Sequence, residues 1–485
     1  MQRIVRGPPL LLRSVRRNTY GVSSNHNFIQ HTSLRPASRF FTVNTHSYNS
    51  AYNRRKVLQS SLGMPLNVLI VGAGVAGPAL ALLLQKSDPN NKITVVERFP
   101  SLRTAGQQID LKNQGVEILS KMGLLDTMKS HCVNETGVEI LDSNGNQLAL
   151  FGINPSGQTR KTLTAEYEIM RGDVVKVLYE AGLKHNAKLK GETGKEGELT
   201  YEFGKTITEL TQNDNGVYVT FSDGQKKRYD LVVAADGQGS RTRRLAFGQE
   251  VSDAAFKSLG VHAAYYSVPR SENEGELAKA YSAPGRRLIM TRTSGRPVTQ
   301  VLLFTMGDKE KLTRPYKEPI EKQKEAFAES YKGAGWETDR FLNGLNTSTD
   351  FYAHEVGQIR MNQLSKGRVV LLGDAGYCPS PFTGMGTTGC LIGAYVLAGE
   401  LARNGNNVSR ALKAYEEVVR PPIEQCQNLP VETLGAFFPS SQLGIWVLRR
   451  FLWAVSKIEP ITYRPRTKDN QGWKVPDYPE LNMMS

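Results

Sequence analysis

Cysteine is scarce in this chain, with four in 485 residues. Cys132, Cys378, Cys390 and Cys426 lie far apart and form no C-x-x-C pair, so they read as reduced core thiols and not as a disulfide or zinc frame. Three of the seven histidines fall in the first sixty residues, and His131, His185, His262 and His354 have no ligand-spaced partner, so no metal is expected. No uninterrupted apolar run reaches bilayer length, since the best candidate, Leu443 to Ile458, is broken by Arg449 and Arg450. Acid is missing altogether from the first sixty residues. They hold nine Arg and one Lys and carry +10 of the net +15. The remaining 425 residues carry +5, an ordinary enzyme balance with no basic stripe interleaved by aromatics, so nucleic acid is not an expected partner.

The acid-free segment 1–60 is rich in Arg, Ser and Asn, with Leu10 to Leu12 and Val15 between arginines. That is the composition of a mitochondrial transit peptide, and Arg39, Phe40 and Phe41 suit a cleavage site. The expectation is a mitochondrial matrix protein, with a disordered basic tail on a cytoplasmic protein as the alternative.

What the chain does contain begins at Leu66. Val68 to Val71 is a short apolar run of the kind a parallel strand buried on both faces shows, and Gly72, Gly74 and Gly77 follow it. From Val75 to Gln85 the pattern is that of an apolar helix, with Pro78 in its first turn. Strand, tight glycine turn and helix in that order make a dinucleotide site. Gly72 permits the turn, Gly74 lets the backbone approach the phosphates, and Gly77 lets the helix pack on the strand, while the helix N-terminus offers N–H groups to the anion. A second strand, Ile93 to Val96, ends at Glu97, twenty residues after Gly77, where a carboxylate accepts ribose hydroxyls. An acid there disfavours a 2′-phosphate, pointing to FAD or NAD in preference to NADP.

Further along, a short helix is expected over Asn113 to Met122, and another over Val174 to Leu183 with Asp173 as its N-cap. Leu199 to Asp236 reads as a meander with turns at Asn215-Gly216 and Asp223-Gly224, re-entering the nucleotide fold along Leu231 to Ala235. Phe256 to Met306 is strand-rich, and a charged helix, Glu318 to Lys332, follows it. The chain then returns with a buried strand, Val369 to Leu372, and a long helix from Met385 to Ala402. Leu443 to Ile458 reads as an amphipathic helix whose apolar face packs on the protein as a lid or brace, in preference to a membrane. The expected organisation is thus α/β. Residues 64–255 and 350–430 form the nucleotide-binding domain, 256–349 an inserted β-sheet substrate domain and 431–485 a C-terminal helix and tail.

Two more motifs sit at strand ends. LVVAADGQGSRTR, Leu231 to Arg243, carries Asp236, and RVVLLGDAGYCPSPFTGMGTT, Arg368 to Thr388, carries Asp374 before a Pro- and Gly-rich loop and a helix N-terminus. Together with the first glycine turn, these resemble the single-component (class A) FAD-dependent aromatic monooxygenases typified by para-hydroxybenzoate hydroxylase, over about residues 64 to 460. The runs GQQIDLKNQG (Gly106 to Gly115), EIMRGDVVKVL (Glu168 to Leu178) and GAYVLAGEL, ending at Leu401, resemble the tetracycline-hydroxylating branch most closely.

The resemblance implies a Rossmann-like FAD domain of the glutathione-reductase type. It implies that Gly72, Gly74, Val75, Ala76 and Gly77 hold the FAD pyrophosphate and Glu97 the adenosine ribose. Arg98, Asp110 and Arg171 would line the FAD site, Asp236 would serve both FAD and the nicotinamide donor, and Asp374 would bind the flavin-side ribose or ribityl chain. Gly384, Gly386 and Thr387 would bring N–H groups toward the pyrimidine end of the ring, where a helix N-terminus stabilises the charge of the reduced flavin. Pro381 and Phe382 would face the substrate, with plain core packing as the other reading of Phe382. The chain departs from the family at Thr388, where an Asn is usual, and at Gly393, where an acid is usual.

By the same resemblance, NADPH or NADH reduces FAD, O2 adds at carbon 4a, and one oxygen passes to an aromatic, phenolic or polyketide-like ring. A Baeyer–Villiger outcome is an open variant, and the sequence identifies no catalytic residue and no oligomeric state. A ubiquinone-ring hydroxylase fits the leader but not Thr388, and a flavin halogenase lacks its W-x-W segment. A flavin dehydrogenase or reductase on the same scaffold stays open. A flavin-free escort protein for prenylated GTPases would not need Glu97, Asp236 and Asp374. Tyr265 and Tyr266 point to opposite faces of an extended strand, so at most one of their side chains is expected to line a pocket.

Overall fold

The computed structural model describes residues 63–133, 135–152, 167–307, 309–462 and 472–481. The leader expectation, residues 1–60, lies outside them.

The apolar run after Leu66 forms the strand Asn67–Val71, buried on both faces as its composition predicts, and it sits inside a six-stranded sheet. In spatial order the strands are Ser365–Lys366, Val369–Leu371, Leu231–Ala234, Asn67–Val71, Lys92–Glu97 and Glu198–Phe203. All neighbours run parallel except the short first pair. The chain leaves Asn67–Val71 for Lys92–Glu97 on one side and returns on the other at Leu231–Ala234. That reversal of strand order opens a crevice beyond the strands' carboxyl ends. The helices Ala76–Ser87 and Gly386–Arg403 pack together, and Leu80, Leu83, Leu391 and Leu397 are fully buried in the shared core.

The meander is shorter than its sequence suggests. Glu198–Phe203 pairs in parallel with Lys92–Glu97, and only Ile207–Asn213, Gly216–Phe221 and Lys226–Tyr229 form the antiparallel trio. The expected cap at Asp173 is also corrected. The helix starts earlier, at Arg171, whose N–H bonds the Gln107 carbonyl at 3.1 Å, and it runs to Lys190. Asp173 lies inside its first turn and pairs with Arg296 at 2.5 Å.

A seven-stranded sheet stands over the crevice. Its spatial order is Tyr352–Ile359, Phe256–Pro269, Val298–Thr305, Arg287–Arg292, Leu277–Ala283, Gly137–Leu141 and Gln147–Phe151. Three of these strands, Tyr352–Ile359, Gly137–Leu141 and Gln147–Phe151, come from ranges the sequence assigned to the nucleotide-binding part. One face, with Tyr266, Val301 and Leu303, packs under the helices Ile320–Tyr331 and Thr338–Thr347 through Phe327, Tyr331 and Phe341. The other face, with Ala263, Tyr265, Leu302 and Phe304, turns toward the crevice, and Leu434 and Phe438 close over it.

Candidate active site

Four strand ends of the parallel sheet converge on one cavity of about 740 Å³. After Asn67–Val71 the chain turns at Gly72 with φ +112°, a value L side chains avoid, and its N–H bonds the Val96 carbonyl at 2.8 Å. A Cβ at Gly72 would stand 2.4 Å from the Ala235 carbonyl oxygen, and one at Gly77 would stand 2.0 Å from that of Gly72. Close packing therefore demands glycine at both positions. Gly74 differs, since the nearest atom to its would-be Cβ is Arg171 Nη2 at 3.4 Å, and the space above it is open cavity. No side chain caps the helix Ala76–Ser87, and its first turn carries no acid, so its N–H groups and partial positive charge face the cavity.

At the end of the next strand the Glu97 carboxylate accepts from Ala73 N at 2.9 Å and Phe99 N at 3.1 Å, which fixes it beside the glycine turn with lone pairs to spare. Arg98 lies over the Phe99 ring, and Arg103 spans the Phe99 and Tyr352 rings. Arg171 passes beside Gly106 and Gly74. These guanidiniums and the uncapped helix end suit a polyanion.

Asp236 lines the cavity and also holds the loop that carries it. Its carboxylate accepts from Ser240 Oγ at 2.5 Å and from Thr242 N and Oγ1 at 3.0 Å each, which anchors the helix Arg241–Phe247. Arg243 ties this motif to the next, donating to the Ala375 carbonyl at 2.7 Å and the Gln238 carbonyl at 2.8 Å. Asp374 follows Val369–Leu371 and lines the cavity. Burial pushes its carboxyl pKa up, against the opposing pull of Arg171.

The loop after Asp374 reaches the other end of the cavity. Gly384 turns with φ +63°, packed against Asp110 and Lys112, which form an ion pair. Gly386 starts the helix Gly386–Arg403, again without a side-chain cap or an acid in the first turn, and Thr387 lies on the cavity wall. Both family departures have a structural account. Thr388 donates its hydroxyl to the Lys112 carbonyl at 3.0 Å, tying the helix to the Asp110 loop. A Cβ at Gly393 would fall 1.8 Å from Tyr377 Oη, so that tyrosine occupies the space an acid would need. Tyr377 in turn meets the Tyr415 hydroxyl at 3.2 Å.

Pro381 and Phe382 stand between this loop and the seven-stranded sheet. The Phe382 ring lies 5.6 Å from Phe304 and 6.5 Å from Phe438, so it both packs and lines. Tyr265 is the tyrosine on this wall, packed edge-on to Phe304 and stacked with Tyr352 and His354, whereas Tyr266 points the other way and donates to the Phe341 carbonyl at 3.1 Å. The Tyr265 hydroxyl and His354 Nδ1 are buried, with no partner among the described residues. Burial and the neighbouring His262 push the His354 pKa down to about 4, so its imidazole is neutral at physiological pH. Arg292 reaches the same cavity from a buried carboxylate pair, 3.5 Å from Glu135 and 3.5 Å from Glu168. Burial, reinforced by Glu168 and opposed by Arg292, pushes Glu135 up to about 7.

Arg103, Arg292, Tyr352 and His354, all on the cavity, carried no signal in the sequence. Only cross-strand register, with Tyr265 opposite Tyr352 and Ala263 opposite His354, brings the last two to the wall.

Comparison with known proteins agrees with this geometry. Residues 65–428 match the family model described as an FAD binding domain. FAD-dependent monooxygenase asL6 of Sarocladium schorii is 41% identical over 425 residues, covering 86% of this chain and 99% of that protein. Flavin-dependent monooxygenase eupH of a Phoma species is 34% identical over 85% of this chain and 98% of its own. Among solved structures, tetracycline destructase Tet(51) superposes with a TM-score of 0.65 at 27% identity, covering 83% of this chain and all of that one.

Proposed function

This chain belongs to the FAD-binding-domain family and is an FAD-dependent monooxygenase; on that premise we propose that it hydroxylates a planar phenolic or polyketide-like ring, taking electrons from NADPH or NADH and oxygen from O2. One observation carries the reading. A single cavity runs from the anion-binding glycine turn to an aromatic wall. When bound, FAD supplies the electron relay and the oxygen-transfer chemistry.

The residues present fit that group. The open space above Gly74, the uncapped helix end over Val75, Ala76 and Gly77, and the nearby Arg98 and Arg171 suit the pyrophosphate. Glu97 is held where it can accept adenosine ribose hydroxyls, and Asp374 where it can hold the flavin-side ribose or ribityl chain. Asp110 lines the site through its contact with Gly384. Asp236, on the wall of the same cavity, would border the nucleotide while holding its own loop through Ser240 and Thr242. Gly384, Gly386 and Thr387 would present the second helix N-terminus to the ring, where it would stabilise the negative charge that develops on reduction.

On the substrate side, Phe304, Phe382, Leu302 and Met290 offer an apolar wall that excludes water. The Tyr265 hydroxyl and His354 Nδ1, both without a partner among the described residues, can each share a hydrogen bond with a ring hydroxyl. The fungal monooxygenases and tetracycline destructases that resemble this chain support a polycyclic substrate. Turnover with each nicotinamide donor against a panel of polycyclic phenols tests the proposal. Oxygen consumed in step with hydroxylated product supports it, and donor oxidation that yields only hydrogen peroxide with every phenol contradicts it. The acid-free leader supports import into mitochondria. A fusion of residues 1–60 to a fluorescent reporter should enter that organelle, and a diffuse signal refutes the import reading.

A further inference from the structure

The helix Gln442–Thr462 does not bury its apolar face as its sequence suggests. It packs on Gln147–Phe151 with Ile445 buried and Leu448, Leu452 and Val455 half-buried, while Arg449 lies over the Tyr281 ring. The opposite arc carries Leu443, Trp446, Val447, Phe451, Trp453 and Ile458, each between 48 and 72% exposed. Arg450 and Lys457 share that exposed arc, and Arg450 stacks over Trp446 at 5.5 Å. From Gln442 to Ile458 there is no Asp or Glu.

We propose that this arc docks in the headgroup region of an anionic lipid surface, with the helix lying in the membrane plane. Six large apolar side chains on one arc form the kind of continuous patch that marks an interaction surface. Among its described side chains the arc carries two cations and no acid, which selects the partner. A second copy of the arc would bring Arg450 and Lys457 against like charges with nothing to neutralise them. An anionic bilayer supplies both an apolar layer for Leu443, Val447, Phe451 and Ile458 and counter-charge for Arg450 and Lys457, whose stems snorkel outward. Trp446 and Trp453 are the side chains that favour the boundary between the two. No described helix is long and apolar enough to cross a membrane, which fits a surface-lying mode. The helix begins four residues after Phe438, so docking places the segment that covers the cavity at the lipid surface.

The test uses the full chain and vesicles of phosphatidylcholine with and without about one-third phosphatidylserine. The leader carries +10 of its own, so the decisive comparison is between chains that share it. Trp446→Ser/Phe451→Ser should lower partitioning onto the anionic vesicles on the order of tenfold or more, with melting temperature and FAD content unchanged. Arg450→Glu/Lys457→Glu should lower it several-fold, and the tryptophan emission of the parent protein should shift to the blue on binding. Equal partitioning of parent and variants overturns the proposal. So does a parent that ignores vesicles, or one that forms a dimer dissolved by the same substitutions.

Discussion

At the glycine end of the cavity the working groups are backbone atoms, whereas at the aromatic end they are side chains delivered by four strands of one sheet. The backbone end admits almost no variation, because Gly72 and Gly77 are locked by carbonyl oxygens 2.4 and 2.0 Å from any added carbon. The side-chain end is held by cross-strand register and ring packing, which tolerate exchange. A scaffold of this kind keeps one cofactor while its substrates change.

The comparison breaks most visibly at the rigid end. Gly77→Ala forces the helix off its strand and should cost more than about 3 kcal/mol, leaving little folded protein by circular dichroism. If instead the variant melts like the parent, the helix is not fixed by that contact. Gly393→Asp, which restores the family's usual acid, drives a charged group into the Tyr377 hydroxyl. A drop in stability of about 3 kcal/mol by denaturant titration is expected, relieved in part by Tyr377→Phe.

Within the cavity the effects shrink. Glu97→Ala and Asp374→Ala should each weaken FAD binding about tenfold by fluorescence titration with the fold intact, since each removes charge-assisted hydrogen bonds of about 1–2 kcal/mol. At the flexible end, Tyr265→Phe removes a buried hydroxyl without a partner among the described residues. The variant should keep its FAD and gain up to about 1 kcal/mol of stability, while KM for a phenolic substrate rises and kcat changes little.

The smallest effect is the pH response of the carboxylate pair behind Arg292. Glu135 has a folded-state pKa of about 7, above its unfolded value, so the folded protein binds the extra proton between the two. Stability should therefore fall as pH rises through that window. Glu135→Gln should flatten the fall, and an unchanged melting profile across those pH values would show that the pair does not titrate there.

The same contrast explains what the sequence disclosed. Gly72, Gly74, Gly77 and Glu97 were legible because one turn followed by one strand and one helix determines them locally. Asp374 and Gly386 were assigned through the family resemblance of the loop that carries them, and both line the cavity. Tyr352, His354 and Arg292 were not, since each becomes a cavity residue only when distant strands pair in one register. The alternation at Tyr265 and Tyr266 limited the wall to one of them without choosing, and packing of Tyr266 under Phe341 makes the choice. The second sheet was under-counted because Gly137–Leu141, Gln147–Phe151 and Tyr352–Ile359 gain strand identity from their neighbours. Glycine spacing said nothing of Asp236, whose carboxylate is taken up by Ser240 and Thr242.

The central claim is that this cavity holds FAD with its phosphates over Gly74. Its most direct test is the FAD content of the full-length protein after dialysis against the cofactor, measured beside Gly74→Val. The account predicts a yellow parent with close to one FAD per chain, and a colourless variant that melts as the parent does without flavin. A colourless parent, or a variant as yellow as the parent, would contradict it.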